Sequence, residues 1–213
     1  WQQKRRLMDR PSSVWEGSDS GFLGWSIPFY TRTDLVQEIL DATWGLGTFW
    51  HRGKAPAKFS PRATIDIDPR GRPDVVADFT ALPFQDATFT VVVFDPPHLT
   101  DHDTPQSSKV MLNRYGDAGR VDNVSHLFLP FFKEAMRVTK PRGIVLCKMS
   151  DMVHSGKSQW QHVDLMLAAQ AVGFEVDDLI VKVRKSAMIS GAWKNAFHAR
   201  KRHCFWIVLR RVS

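Results

Sequence analysis

The sequence predicts an α/β fold built on a mainly parallel sheet, and two observations predict it. Four short apolar runs each stop at an acid: Ile39-Leu40-Asp41, Ala63-Thr64-Ile65-Asp66, Val75-Val76-Ala77-Asp78 and Val91-Val92-Val93-Phe94-Asp95. Runs of this length, rich in β-branched residues and bounded by turn formers, read as buried strands. Helix-period patterns accompany them over about residues 34–40, Ser125–Val138 and 159–172, the last stopped by Gly173. In a parallel sheet the strand ends line one edge, which is where open α/β sheets bind ligands. The four acids mark that edge.

In chain order, residues 1–30 read as an N-terminal extension and residues 31–213 as the domain it packs on. Gln2-Gln3-Lys4-Arg5-Arg6 is a polar tail, followed by a stretch with Trp15, Phe22, Leu23 and Trp25. The first strand enters a turn carrying Gly45 and Gly47, which permit positive φ and close approach of a ligand. Gly53, Pro56 and Pro61 leave room for little more than one turn of helix before the second strand. Pro69-Arg70-Gly71-Arg72-Pro73 excludes a helix before the third. An apolar sheet face without its helices is costly in water. The expected cover is the N-terminal aromatic segment or a second copy of the chain, which would make a homodimer. Two further apolar runs, 178–184 and 203–209, close the chain.

Asp95-Pro96-Pro97-His98 is the most informative segment, because it sets a carboxylate and a rigid, non-helical backbone at a strand end. Methylating a planar amine needs such a pair. The lone pair of an exocyclic amino group is delocalised into its ring. A carboxylate accepting from one N–H and the Pro96 carbonyl accepting from the other would draw the nitrogen towards tetrahedral geometry. A strand closed by a proline turn, with Asp95 capping a nearby N–H, is the plainer alternative.

The tetrapeptide resembles the (Asp/Asn/Ser)-Pro-Pro-(aromatic) signature of amino-methyltransferases that modify adenine N6 or cytosine N4. From about residue 31 to 211 the chain resembles a class I S-adenosylmethionine-dependent methyltransferase. The resemblance implies a Rossmann-like, mainly parallel seven-stranded sheet with an antiparallel last strand, closed by the final hairpin, with reduced helices on one face. It implies S-adenosyl-L-methionine as cofactor. The 41–47 segment, with Asp41, Thr43, Gly45 and Gly47, is similar to the motif around the methionine moiety. Asp66, with Asp68 a near alternative, matches the acid on the ribose hydroxyls. Asp78 and Phe79 match the residues on the adenine. Asp95, Pro96, Pro97 and His98 take the catalytic positions. His98 departs from the usual Tyr, Phe or Trp: imidazole stacks less extensively and adds a titratable group. Asp at position 95 leans towards adenine N6.

Charge points to the partner. The net charge is +7, with the excess concentrated after Arg137. Lys185, Lys194, Arg200, Lys201 and Arg202 are interleaved with Trp193, Phe197, His198 and His203 between the last two strands. Bases among stackable rings suit nucleic acid; a merely solvated basic hairpin is the bland alternative. The long polar segment 99–123 offers Arg114 and Tyr115 as substrate contacts. The chain between Asp78 and Asp95 is too short for a target-recognition domain, so specificity is expected to be short or supplied by an accessory subunit. DNA is the favoured polymer. An RNA adenine methyltransferase and a silent binding subunit of the same fold are the alternatives. Cys147 and Cys204 sit in apolar runs without metal-ligand spacing, so no metal is expected, and the usage fits a reducing, cytoplasmic compartment. No apolar stretch is long enough for a membrane span. Trp160 and His162 read as helix packing.

Overall fold

The strand-end acids fall on adjacent strands of one sheet, and the topology explains why. The computed structural model describes residues 12–51, 58–96, 125–154, 157–184, 198–199 and 201–213. The elements are β1 (Val14–Trp15), α1 (Asp19–Thr31), β2 (Ile39–Asp41), α2 (Thr48–His51), β3 (Ala63–Asp66), β4 (Val75–Val76) and β5 (Phe89–Phe94). They continue as α3 (Ser125–Val138), β6 (Thr139–Met149), β7 (Met152–His154), β8 (Lys157–Gln159), α4 (Gln161–Ala171), β9 (Phe174–Val183) and β10 (His203–Arg211). One sheet has the order β4-β3-β2-β5-β6-β10-β9-β1, and β7 and β8 form a separate ribbon. From β4 to β6 all pairings are parallel, whereas β10 runs antiparallel to both β6 and β9. The α/β fold with a mainly parallel sheet and an antiparallel last strand is therefore the observed one. β1 adds an eighth strand at the β9 edge, pairing Val14 with Val181.

One face is built conventionally. Phe128, Phe131, Phe132 and Ala135 of α3, with Leu165 and Ala169 of α4, pack on Leu40, Ile65, Val92, Phe94, Val145 and Ile207 of the sheet. Phe94 and Phe131 stack with ring centroids 3.6 Å apart. The opposite face is filled by α1: Phe22, Leu23 and Ile27 lie fully buried against Val91, Val93, Ile144, Leu146, Trp206 and Val208. Phe22 stacks on Trp206 at 4.7 Å, and Trp15 and Trp25 stack outside it at 5.9 Å. Each fully buried ring contributes roughly 1.5–3 kcal/mol, part of what offsets the entropy of ordering this 13-residue helix. Tyr30 donates its hydroxyl to Asp178 at 2.7 Å, tying the end of α1 to β9.

Three expectations need correction. Residues 34–40 are not a helix: Leu35 is exposed, and the Glu38 carbonyl accepts from the N–H groups of Thr90 and Val91 as the chain enters β2. The spacing of Val36 and Ile39 came from an extended lead-in that buries both. The 69–73 segment does make one 3₁₀ turn, Pro69–Gly71, capped by the Asp68 carboxylate on the Arg70 N–H; Pro69 at its start loses no bond there. Trp160 is not packed in the helix interface; it precedes α4, is half exposed and carries the Lys201 ammonium 4.3 Å above its ring. Among the described residues no helix is long and apolar enough to cross a membrane.

Candidate active site

The carboxyl edge of β2, β3 and β4 is an acid cluster held by backbone. The carboxylate of Asp41 is buried at the end of β2 and accepts from the Thr43 N–H at 3.0 Å and the Trp50 indole at 2.6 Å. Burial pushes its pKa up to about 7 against those two hydrogen bonds, with the charges of Asp95 and Asp66 adding to the rise. Asp41 thus points inward and braces the turn that follows. In that turn Gly45 and Gly47 have φ of 54° and 65°, the left-handed region that glycine enters without a Cβ penalty. The Gly45 N–H donates to Asp66 at 2.6 Å, and the Asp68 N–H donates to the other Asp66 oxygen at 2.8 Å. Trp44 donates its indole N–H to the Gly71 carbonyl at 2.8 Å, and a Cβ on Gly71 would lie 1.6 Å from the Gly45 oxygen. The first two strand turns are therefore locked together, and only glycine fits at 71. Asp78 follows β4, accepts from the N–H and hydroxyl of Thr80, and lies beside Phe79. Phe79 packs edge-on against Phe94 and Phe131.

The edge of β5, β6, β10 and β9 sets acids beside lysines and a histidine instead. Asp95 follows β5 directly, and its N–H donates to the Thr43 hydroxyl at 2.7 Å. That bond joins the β2 turn to the start of the Pro-Pro segment. Lys148, near the end of β6, places Nζ 3.5 Å from Asp95 and 3.3 Å from Asp19, over the Phe49 ring at 4.8 Å. Burial alone would lower the pKa of Lys148, but the charges of Asp95 and Asp19 outweigh it and hold the ammonium above its ordinary value. Asp19, in the first turn of α1, also takes Lys182 at 2.6 Å and the Trp206 indole at 3.1 Å. Beyond β6, the buried Asp151 pairs with His162 Nδ1 at 2.6 Å, and the His162 ring stacks on Phe205 at 4.2 Å. His162 is therefore polar in role as well as packed, because Asp151 brings a carboxylate to it. Arg184 donates to Ser150 at 2.7 Å, at the same edge.

No protein-family model and no curated protein matches the chain. Solved structures do. An S-adenosylmethionine-dependent methyltransferase from Methanosarcina mazei matches 88% of this chain and 97% of its own at TM-score 0.50 and 14% identity. A provisionally designated methyltransferase from Bacillus halodurans matches 92% of this chain and 100% of its own, at TM-score 0.55 and 14% identity. The chain has the fold of the S-adenosylmethionine-dependent methyltransferases. A provisionally designated DNA modification methylase from Thermus thermophilus, solved with S-adenosyl-L-methionine, matches at TM-score 0.40 and 15% identity. That match covers 62% of this chain and 51% of the other, so this chain spans about half its length.

In this methyltransferase fold, Asp41, Thr43, Gly45, Gly47, Asp66, Asp78 and Phe79 gather on three neighbouring strand ends, with Asp95 and Pro96 on the fourth. Asp66 ends β3, while Asp68 caps the 3₁₀ turn and pairs with Arg70. Lys201 and Arg202 lie at the entry to β10, on the same edge. Pro97, His98, Arg114, Tyr115, Lys185 and Arg200 lie outside the described residues. Among the described residues no cluster of His, Cys, Asp and Glu is arranged for a metal ion. Sequence reasoning missed Asp19, Lys148 and Lys182. The signal was there: Lys148 interrupts the apolar run Ile144-Val145-Leu146-Cys147, and a lysine in a central strand must find an acid.

Proposed function

We propose that the chain is an S-adenosylmethionine-dependent N-methyltransferase acting on an exocyclic amino group of a nucleobase in nucleic acid, with adenine N6 in DNA the favoured target. One observation carries the reading: the Thr43 hydroxyl bonded to the Asp95 N–H. It couples the turn suited to the cofactor to the carboxylate suited to the amine, within one hydrogen bond.

The residues present fit the cofactor. Asp66 and Asp78 make no ion pair among the described residues, so the β3–β4 edge favours a ligand bringing hydroxyl or amino donors, while Asp41 braces the turn from beneath. Asp66 already accepts two N–H bonds, and a carboxylate has about four acceptor positions, leaving room for ribose hydroxyls. Asp78 and Phe79 would hold the adenine. Bound there, the cofactor would supply a methyl group made electrophilic by its sulfonium. Asp95 and the Pro96 carbonyl would accept from the two N–H bonds of the target amine and localise its lone pair. Asp95 would then take the proton that nitrogen sheds and pass it to water. Lys201, Arg202 and Arg184, on the same edge, supply charge for a phosphate backbone.

The test is mass spectrometry of nucleosides after incubating the protein with isotope-labelled cofactor and mixed DNA and RNA. Labelled N6-methyladenine in the DNA fraction, absent with Asp95→Ala, is the expected result. Label in RNA adenine would move the substrate to RNA, and label at cytosine N4 would change the base. No labelled nucleoside from any polymer would overturn the reading.

A further inference from the structure

Asp95 does not stand alone at its strand end. Lys148 reaches it from β6, in a sheet register that pairs Phe94 with Cys147 and so sets the two following residues side by side. Lys148 is pinned on its other side by Asp19, which in turn accepts from Lys182 of β9 and the Trp206 indole of β10. The Lys148 and Lys182 side chains are each 13% exposed and those of Asp19 and Asp95 are 21% and 23% exposed, so the cluster is largely shielded from water. Lysines and aspartates alternate there, and an ammonium 3.5 Å from Asp95 favours its carboxylate form. The Phe49 ring beneath Lys148 closes off the remaining side of the ammonium.

We propose that Lys148 and Asp19 are positioning residues for the Asp95 carboxylate: Lys148 keeps it ionised and oriented towards the target amine, and Asp19 fixes Lys148. The proposal rests on reading Asp95 as the acceptor for that amine. It gives α1 a second role, since the helix covering the sheet also delivers Asp19 to the active edge. Asp19 is suited to that place, because a carboxylate in the first turn of a helix is favoured by the helix dipole. Among the described groups facing Asp95 are Lys148 from β6, Asp41 from β2 and Asp19 behind Lys148 from α1. Removing the cation of that set raises the pH at which Asp95 ionises.

The experiment compares the full chain with Lys148→Met, Lys148→Arg and Asp19→Asn. Methyl transfer is followed against pH, and the Asp95 carboxyl is titrated by carbon NMR in labelled protein. Lys148→Met should lower kcat on the order of 10²-fold, with KM for nucleic acid within a few-fold. It should also move the acid limb of the kcat–pH profile to higher pH. Lys148→Arg should recover most of the rate, and Asp19→Asn should move both readouts the same way but less. An unchanged kcat and acid limb in Lys148→Met would overturn the proposal, as would a loss of rate that Lys148→Arg fails to restore. If the parent transfers no methyl group to any polymer, the functional reading falls and the titration alone decides. A higher Asp95 titration point in Lys148→Met upholds the coupling, and an unmoved one overturns it.

Discussion

The two halves of the sheet's carboxyl edge handle their acids in opposite ways. At the ends of β2, β3 and β4 the carboxylates of Asp41, Asp66 and Asp78 are satisfied by backbone N–H groups, an indole and a hydroxyl. At the ends of β5, β6, β9 and β10, Asp95, Asp19 and Asp151 face Lys148, Lys182 and His162. Hydrogen bonds from neutral donors bring no opposing charge to a carboxylate, whereas a lysine beside one does. The Thr43–Asp95 hydrogen bond is the seam between the two halves.

The sharpest way to separate the halves is Asp95→Ala. It should lower methyl transfer by about 10³-fold or more while cofactor affinity stays within a few-fold, because the loss falls on the transition state. Calorimetry and initial rates on one preparation check both parts; a parallel loss of binding would erase the distinction. Phe22→Ala breaks the second half through its cover. Losing a fully buried ring stacked on Trp206 should cost about 3–5 kcal/mol in denaturant unfolding. It should also impair transfer more than cofactor binding, since α1 carries Asp19.

Asp41 tests the first half by pH. Its folded-state pKa of about 7 lies above the ordinary carboxylate value, so the folded protein binds the extra proton. That contribution is fully present below about pH 4 and is lost as pH rises towards 7, by up to about 4 kcal/mol. Asp41→Asn should flatten the fall of stability across that window, as read by urea unfolding from about pH 4 to 8. An equally steep fall in the variant would place the titration elsewhere. The smallest effect is expected of Asp66→Ala: cofactor binding weakened about 10- to 100-fold, as one charged acceptor of ribose hydroxyls is lost, with methyl transfer restored at saturating cofactor. A kcat defect that persists at saturation would move Asp66 into the chemistry.

The parallel strands, the helices Ser125–Val138 and Gln161–Ala171, and the cluster of strand-end acids were legible in the chain. Their signals are local: β-branched runs ended by an acid, apolar residues at helical spacing, and Gly173 with φ of 102° as a stop. Helix α1 was not legible. Pro28 interrupts it, and apolar residues lie on most of its sides, so no single apolar stripe announces it. Its Ser18 cap, accepting from the Gly21 N–H, was the one local cue.

By itself the sequence determined which residues end at the sheet's carboxyl edge, because strand length and the acid that terminates each strand are properties of neighbouring residues. It also predicted that one face of the sheet needs an unusual cover, since glycine and proline leave no room for long helices at 53–61, of which 53–57 lie outside the described residues, and at 69–73. Only the tertiary structure decided what each carboxylate does. Asp41 and Asp95 are alike as strand-ending acids, yet one is buried against an indole and the other faces a lysine from the next strand. Ionisation depends on the charges and solvent brought within a few ångströms, and residues 19, 95, 148 and 182 meet only when α1 and the strand ends converge.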